Sequence, residues 1–245
     1  MPEGPSIVIL RELIEDLHLK GKPVLEVGGN TSLDKNRLIG QKVTDFKNWG
    51  KHFLICFQEL TLRIHLMLFG TYRINERKES KPSISLVFAH NELNFYTCSL
   101  QFIAGDLHKV YDWKADVMSD EWDAKNALKK AKEKGETLVC DLLLDQHIFA
   151  GVGNIIKNEV LYRIKVHPLS TVSALPLAKL KLLVKEARNY SFDFLAWKKA
   201  FVLKKHWLVY KQKKCPKGHA LSQEQHLGKT NRRSFYCSQC QKKHI

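Results

Sequence analysis

The composition of this chain changes near residue 112, from short apolar runs to longer helical periods, and that change restricts the fold more than any other feature. Before it, short apolar runs cover residues 24–27, 42–48, 52–58, 61–67, 71–74, 84–88 and 93–97. Gly28-Gly29-Asn30, Trp49-Gly50, residues 76–82 and His90-Asn91 break the runs. Short strands at this spacing predict an antiparallel sandwich. One helix precedes them, over residues 7–19, with apolar positions at Ile9, Leu10, Leu13, Ile14 and Leu17 and a stop at Lys20-Gly21-Lys22-Pro23. Beyond residue 112 the period is helical. Ser119 is placed to cap a helix with an acidic start and a lysine-rich end. Residues 138–149 read as a second helix and 154–165 as a third, with 173–203 mostly helical. The division expected is a β-domain at 1–111, a helical domain at 112–210 and a small terminal module at 211–245.

The terminal module has too few apolar residues to fold without a staple. Its staple is written as Cys215-x3-His219 followed 18 residues later by Cys237-x2-Cys240. Two tight pairs of soft or borderline ligands brought together by a hairpin suit a structural zinc ion. For the fourth ligand His219 has the best spacing, and His226 and His244 compete with it. Cys56, Cys98 and Cys140 lie singly in apolar runs and read as core thiols. Between the ligand pairs, Arg232 and Arg233 suit phosphate contact; a solvated basic turn is the plainer reading.

Charge points the same way. Lys plus Arg is 40 against 25 Asp plus Glu, a formal +15, which makes nucleic acid the leading partner and an anionic membrane surface the second. No run of 18 apolar residues exists to span a bilayer, and the N-terminus lacks a signal pattern, so an intracellular protein with reduced thiols is expected. The run Leu144-Asp145-Gln146 to Gly151-Val152-Gly153-Asn154 reads as a helix entering a glycine turn, with Asn154 capping the next helix. Such a start can hold one phosphate oxygen, although glycine turns between helices are usually only structural. Pro2 favours removal of Met1 and would then be a terminal secondary amine. An amine of this kind titrates near pH ~8 and can attack a sugar's anomeric carbon, with Glu3 moving protons beside it. Taken alone, these two residues are better read as an ordinary start sequence.

Pro2-Glu3-Gly4-Pro5, the run from Leu144 to Glu159, and Arg232 to Gln241 together resemble the formamidopyrimidine-DNA glycosylase / endonuclease VIII family of base-excision repair enzymes. The three motifs stand in the family's order and span essentially the whole chain. The resemblance implies an α+β fold: an N-terminal helix plus antiparallel β-sandwich, then a helical helix–two-turn–helix domain ending in a zinc-finger β-hairpin. It implies a bifunctional glycosylase and abasic-site lyase working by β,δ-elimination on double-stranded DNA, as a monomer, nucleoid-associated in a bacterial cell. Pro2 is then the Schiff-base nucleophile, Glu3 the proton donor, and Lys51 a phosphate contact serving the first elimination. Asn154 holds the lesion-flanking backbone, and Arg232 grips the same phosphates and serves the second elimination. Met67, Leu68 and Phe69 align with the loop that fills the void left by an extruded base, although a buried strand end fits them as well.

The chain also departs from the family pattern. Ser6 stands where many members carry a second glutamate, and Gly218 fills the usual second cysteine position. The arginine and phenylalanine wedge of the purine-specific branch is not evident in residues 95–103. Residues 204–214 leave little room for that branch's loop over 8-oxoguanine. These points favour the endonuclease VIII side and oxidised pyrimidines. Oxidised purines, or a zinc-containing protein that binds damaged DNA without cutting it, are the alternatives.

Overall fold

The computed structural model describes residues 2–245; Met1, whose removal the Pro2 chemistry requires, lies outside them. The chain divides into two compact units, residues 1–111 and 112–245. Residues 211–245, set apart in the sequence by composition, fall in the second unit.

The first unit opens with helix α1 (Gly4–Glu15) and continues into eight strands: β1 (Glu26–Gly28), β2 (Asp45–Trp49), β3 (His52–Cys56), β4 (Leu60–His65), β5 (Thr71–Ile74), β6 (Ile84–Val87), β7 (Glu92–Tyr96) and β8 (Ser99–Ala104). They form two antiparallel four-stranded sheets, ordered β1-β6-β7-β5 and β2-β3-β4-β8. Each expected run contributes one strand. β8 was not expected, because its Ser-Leu-Gln-Phe-Ile-Ala pattern follows β7 after only Thr97 and Cys98, where Thr97 is left-handed at φ 53° and the chain passes to the other sheet. The helix is shorter than the expected 7–19 and starts earlier, since Pro5 in its first turn has a pre-set φ. Its buried face is Ile7, Leu10 and Ile14, whereas Leu13 is exposed. These residues join Phe46, Phe53, Ile55, Leu62, Ile64, Leu86 and Phe95 from the two sheets in one core. Thus the sheets' inner faces and one helix face bury the apolar set, and the connecting turns are left to carry other chemistry.

The second unit holds helices α2 (Ala124–Lys132), α3 (Val139–Leu142), α4 (Asn154–Arg163) and α5 (Leu177–Lys199), then the hairpin of β9 (Ser222–Leu227) and β10 (Arg232–Tyr236). Two expected helix boundaries are corrected. Asp123, not Ser119, caps α2, its carboxylate accepting from Lys125 N and Asn126 N at 2.9 and 3.0 Å. Ser119 instead accepts from Glu121 N in a separate turn. The helix expected over 138–149 stops at Leu142. The Asp145 carboxylate accepts from His147 N, a local bond that competes with helix continuation. No helix among the described residues is long and apolar enough to cross a membrane.

Helix α4 is buried on nearly every side: Ile156, Val160 and Leu161 lie in the apolar core, and Lys157, Asn158 and Glu159 are buried too. Glu159 accepts from the backbone N–H groups of Leu208, Val209 and Tyr210 at 2.8–3.1 Å, fixing the segment that leads into the hairpin. Burial pushes its carboxyl upward, and those three donors oppose the shift.

Candidate nucleic-acid interface and metal centre

In the first unit, Pro2 is half-buried and Glu3 is the N-cap of α1, in extended conformation, with 0% of its surface exposed. A carboxylate at a helix start is favoured by the macrodipole, while burial disfavours its charge. The Glu3 carbonyl accepts from Ser6 N at 2.7 Å. The Ser6 hydroxyl is buried with no hydrogen-bond partner among the described residues.

Lys51 sits at the tip of the two-residue hairpin between β2 and β3, where Trp49 pairs with His52. Gly50 takes φ 53° at the first central position, which suits a tight hairpin of this length. Behind the tip is an aromatic brace that sequence reasoning missed. The Tyr111 ring lies 4.8 Å from that of Trp49, and its hydroxyl is 3.1 Å from His52 Nδ1. His52 faces His65 across β3–β4, with ring centroids 5.1 Å apart. Burial, then Arg63, His65 and Lys51, push the His52 pKa down to about 3, and burial pushes Tyr111 up to about 12. Both are therefore neutral at pH 7, so the brace adds no charge beside Lys51. Cross-strand register could have paired the histidines, but nothing in the sequence pointed to Tyr111.

Met67, Leu68 and Phe69 are 49%, 45% and 76% exposed, so they are not a buried strand end. Met67 is left-handed at φ 50°. Gly70 N donates to Leu66 O at 2.7 Å, and a Cβ at Gly70 would lie 2.1 Å from that oxygen. The turn therefore requires glycine there and projects three apolar side chains into solvent.

In the second unit, the Gly151-Val152-Gly153 turn is knitted by Gln146. Its Nε2 donates to Leu144 O and Val152 O at 2.8 and 3.1 Å, and its Oε1 accepts from Gly151 N at 3.1 Å. Gly153, not Asn154, is the cap of α4; Asn154 is already the first helical residue. The Asn154 side chain is buried, and its Oδ1 has no hydrogen-bond partner among the described residues.

A polar strut joins this helix start to the hairpin. Asn158 Nδ2 donates to Asn154 O at 2.7 Å, and Asn158 Oδ1 accepts from Phe235 N at 2.8 Å. Lys157, only 1% exposed, donates through Nζ to Ser234 Oγ at 2.7 Å and Arg233 O at 3.3 Å. The hairpin tip is held by Asp141, whose carboxylate accepts from Lys229 N, Thr230 N and Thr230 Oγ1 at 2.6–2.9 Å. A Cβ at Gly228 would lie 2.4 Å from that carboxylate, so the approach requires glycine. None of these tethers was expected from sequence. Arg232 and Arg233, both exposed, differ in their commitments. Arg233 donates to Gln223 Oε1 at 2.8 Å and lies over the Phe235 ring. The Arg232 guanidinium makes no hydrogen bond among the described residues. β10 and β9 change register between Arg232 and Ser234.

Cys215, His219, Cys237 and Cys240 bring their ligand atoms within 4.8 Å of one another and could hold a metal ion. His219 Nδ1 is 3.3 Å from Cys240 Sγ and 3.7 Å from Cys237 Sγ, and the Cys215 and Cys240 sulfurs are 4.0 Å apart. Tetrahedral zinc bonds imply ligand separations of about 3.5–3.8 Å, so the donor set fits. His226 and His244 lie outside the cluster. Cys215 and Cys237 pack with Tyr162, Val209 and Phe235, which ties the cluster to α4.

The comparisons agree with this geometry. Residues 1–104 match the formamidopyrimidine-DNA glycosylase N-terminal domain, and residues 115–191 match the H2TH domain of the same family. The chain is 33% identical over 198 residues to endonuclease 8-like 2 of Bos taurus, covering 75% of this chain and 59% of that protein. It is 30% identical over 202 residues to endonuclease 8-like 3 of Mus musculus, covering 79% of this chain and 33% of that one. It thus spans about a third to three fifths of the length of these relatives. A viral DNA glycosylase superposes with a TM-score of 0.85 at 21% identity, covering 98% of this chain and 99% of that chain. Lactococcus lactis formamidopyrimidine-DNA glycosylase, solved with abasic-site DNA, gives 0.86 at 21%, covering 98% and 100%. The fold is that of the formamidopyrimidine-DNA glycosylases. The chain belongs to the formamidopyrimidine-DNA glycosylase / endonuclease VIII family, on the endonuclease VIII side.

The cluster geometry makes a direct prediction. Adding zinc to metal-stripped protein raises the melting temperature, and Cys215→Ser or His219→Ala removes that rise while His226→Ala and His244→Ala keep it. Calorimetry with each variant measures it; an undiminished rise in His219→Ala contradicts the assignment.

Proposed function

We propose that this protein is a DNA glycosylase and abasic-site lyase that removes oxidised bases, pyrimidines in particular, from double-stranded DNA. The observation that carries the reading is the wholly buried Glu3 carboxyl at the start of α1, directly after Pro2, in a chain of this family. A buried carboxyl beside a terminal amine is poised to exchange protons with a group that amine attacks. The Pro2 nitrogen forms a bond to C1′ of the damaged nucleotide, and the base leaves with the glycosidic electron pair and a proton supplied through Glu3. Ring opening gives an iminium whose positive charge acidifies C2′. Loss of the C2′ proton expels the 3′ phosphate, a second elimination expels the 5′ phosphate, and water then releases Pro2.

Lys51 stabilises the departing phosphate in the first elimination, and Arg232 and Asn154 hold the backbone that flanks the lesion. The exposed Arg232 guanidinium and the Asn154 Oδ1, neither with a hydrogen-bond partner among the described residues, support these roles, as does the Lactococcus lactis homologue's complex with abasic-site DNA. Met67, Leu68 and Phe69 occupy the space of the extruded base; their exposure supports this, since water offers such side chains no compensation. Arg233 adds to the local positive field. The metal ion at Cys215, His219, Cys237 and Cys240 is zinc, and with all four positions taken by protein it keeps the hairpin folded and takes no part in chemistry.

Borohydride trapping on an abasic duplex tests the reading. Met-processed protein gives a covalent band, and Glu3→Gln releases oxidised pyrimidine bases roughly a hundredfold more slowly. Absence of any trapped band points to a protein that binds damage without cutting it. The arginines are separated by paired titrations at one salt concentration. Arg232→Ala weakens binding to abasic DNA by roughly tenfold to a hundredfold and slows the second elimination more than the first. Arg233→Ala, whose side chain is already engaged with Gln223 and Phe235, costs much less. Equal losses reduce the hairpin to a diffuse basic patch.

A further inference from the structure

The second unit carries a concavity that the proposed reaction does not use. It lies between α2 and α5, encloses about 370 Å³, and has an apolar floor of Trp122, Leu128 and Val184. Its origin is legible in the sequence. α2 packs into the core through Ala127 and Ala131, side chains too short to fill the space beside α5. Leu128, one position further round, is left half-buried as part of the floor of that space.

The charge around the floor is of one sign. Lys125, Lys181, Lys185 and Arg188 surround it, and no carboxylate lines it among the described residues. Arg188 is held rigidly, its Nη1 donating to Val117 O and Ser119 O, both at 2.9 Å. A second depression of about 410 Å³ continues along α2 past Leu128, lined by Lys125, Lys129 and Lys132, with Glu133 its one carboxylate among the described residues. The volume is within the range of specific ligand pockets.

We infer that this groove docks an acidic peptide segment of a partner protein, with one bulky apolar side chain on the Trp122–Leu128–Val184 floor and carboxylates on the lysine rim. Charge complementarity selects an anionic occupant. The apolar floor then selects among anions: a sugar–phosphate backbone gains nothing from it, whereas a peptide with an apolar anchor gains from both parts. The inference is independent of the glycosylase reading, because it concerns neither Pro2 nor the hairpin.

The probe is a fluorescein-labelled nonapeptide with a central phenylalanine flanked on each side by Asp and Glu, read by anisotropy against the whole protein. Binding is expected, with about a tenfold loss or more when glycine replaces the phenylalanine. Lys181→Glu with Lys185→Glu abolishes binding of both peptides. Leu128→Ser, checked by circular dichroism for an intact fold, removes only the preference for phenylalanine. Equal affinity for the two peptides overturns the proposal. So does displacement of the peptide by a short lesion-free oligonucleotide whose own binding ignores Leu128→Ser, since the groove is then a nucleic-acid surface. Anilinonaphthalene sulfonate that binds in the groove and resists displacement by the peptide identifies a small-anion site and overturns it as well.

Discussion

The second unit depends on a helix that buries its polar residues as thoroughly as its apolar ones. On α4, Ile156, Val160 and Leu161 face the core, while Lys157, Asn158 and Glu159 are each no more than 1% exposed. Burying such groups is costly unless each finds a partner. Here the partners are the elements that need holding. Glu159 collects three backbone N–H groups of residues 208–210, Asn158 takes Phe235 N, and Lys157 reaches Ser234 and Arg233. Removing the Glu159 carboxyl strands three buried donors, at a cost on the order of 3 kcal/mol or more. A short hairpin with few apolar residues thereby gains a fixed register against the helix.

The same economy governs the first unit. The sandwich core is apolar and conventional, and the groups with chemical potential sit at its turns. Lys51 is lifted on a two-residue hairpin braced by Trp49, His52 and Tyr111. The Met67–Phe69 turn closes on a glycine that no other residue can replace without a clash. In each unit a packed interior carries exposed groups, among them Phe69 and the Arg232 guanidinium, which makes no hydrogen bond among the described residues. On the proposed function, such groups meet a phosphate backbone and the position vacated by a base.

Much of this was legible in the sequence because it rests on local pattern. Seven of the eight sandwich strands follow from apolar runs between turn residues, and the metal ligands follow from spacing. The failures have identifiable causes. Ser119 and Asp123 are both good caps, and the helix that starts after Asp123 is the one whose Ala127 and Ala131 lie in the core. The helix expected to reach Phe149 yields to the side-chain bond from Asp145 to His147 N. Nothing in the sequence singled out Lys157, Asn158 or Asp141, because their hairpin partners lie 76 to 89 positions away in the chain. Tertiary hydrogen bonds of that range leave no periodic trace.

The claim that α4 fastens the hairpin and its approach is open to native-state hydrogen exchange. The amides of Leu208, Val209, Tyr210 and Phe235 each donate to a buried side chain of α4. The account predicts that, with metal bound, all four exchange as slowly as the core amides of Val160 and Leu161, through one shared opening of the unit. Exchange of these four at the rate of exposed surface amides, while Val160 and Leu161 remain protected, would contradict it.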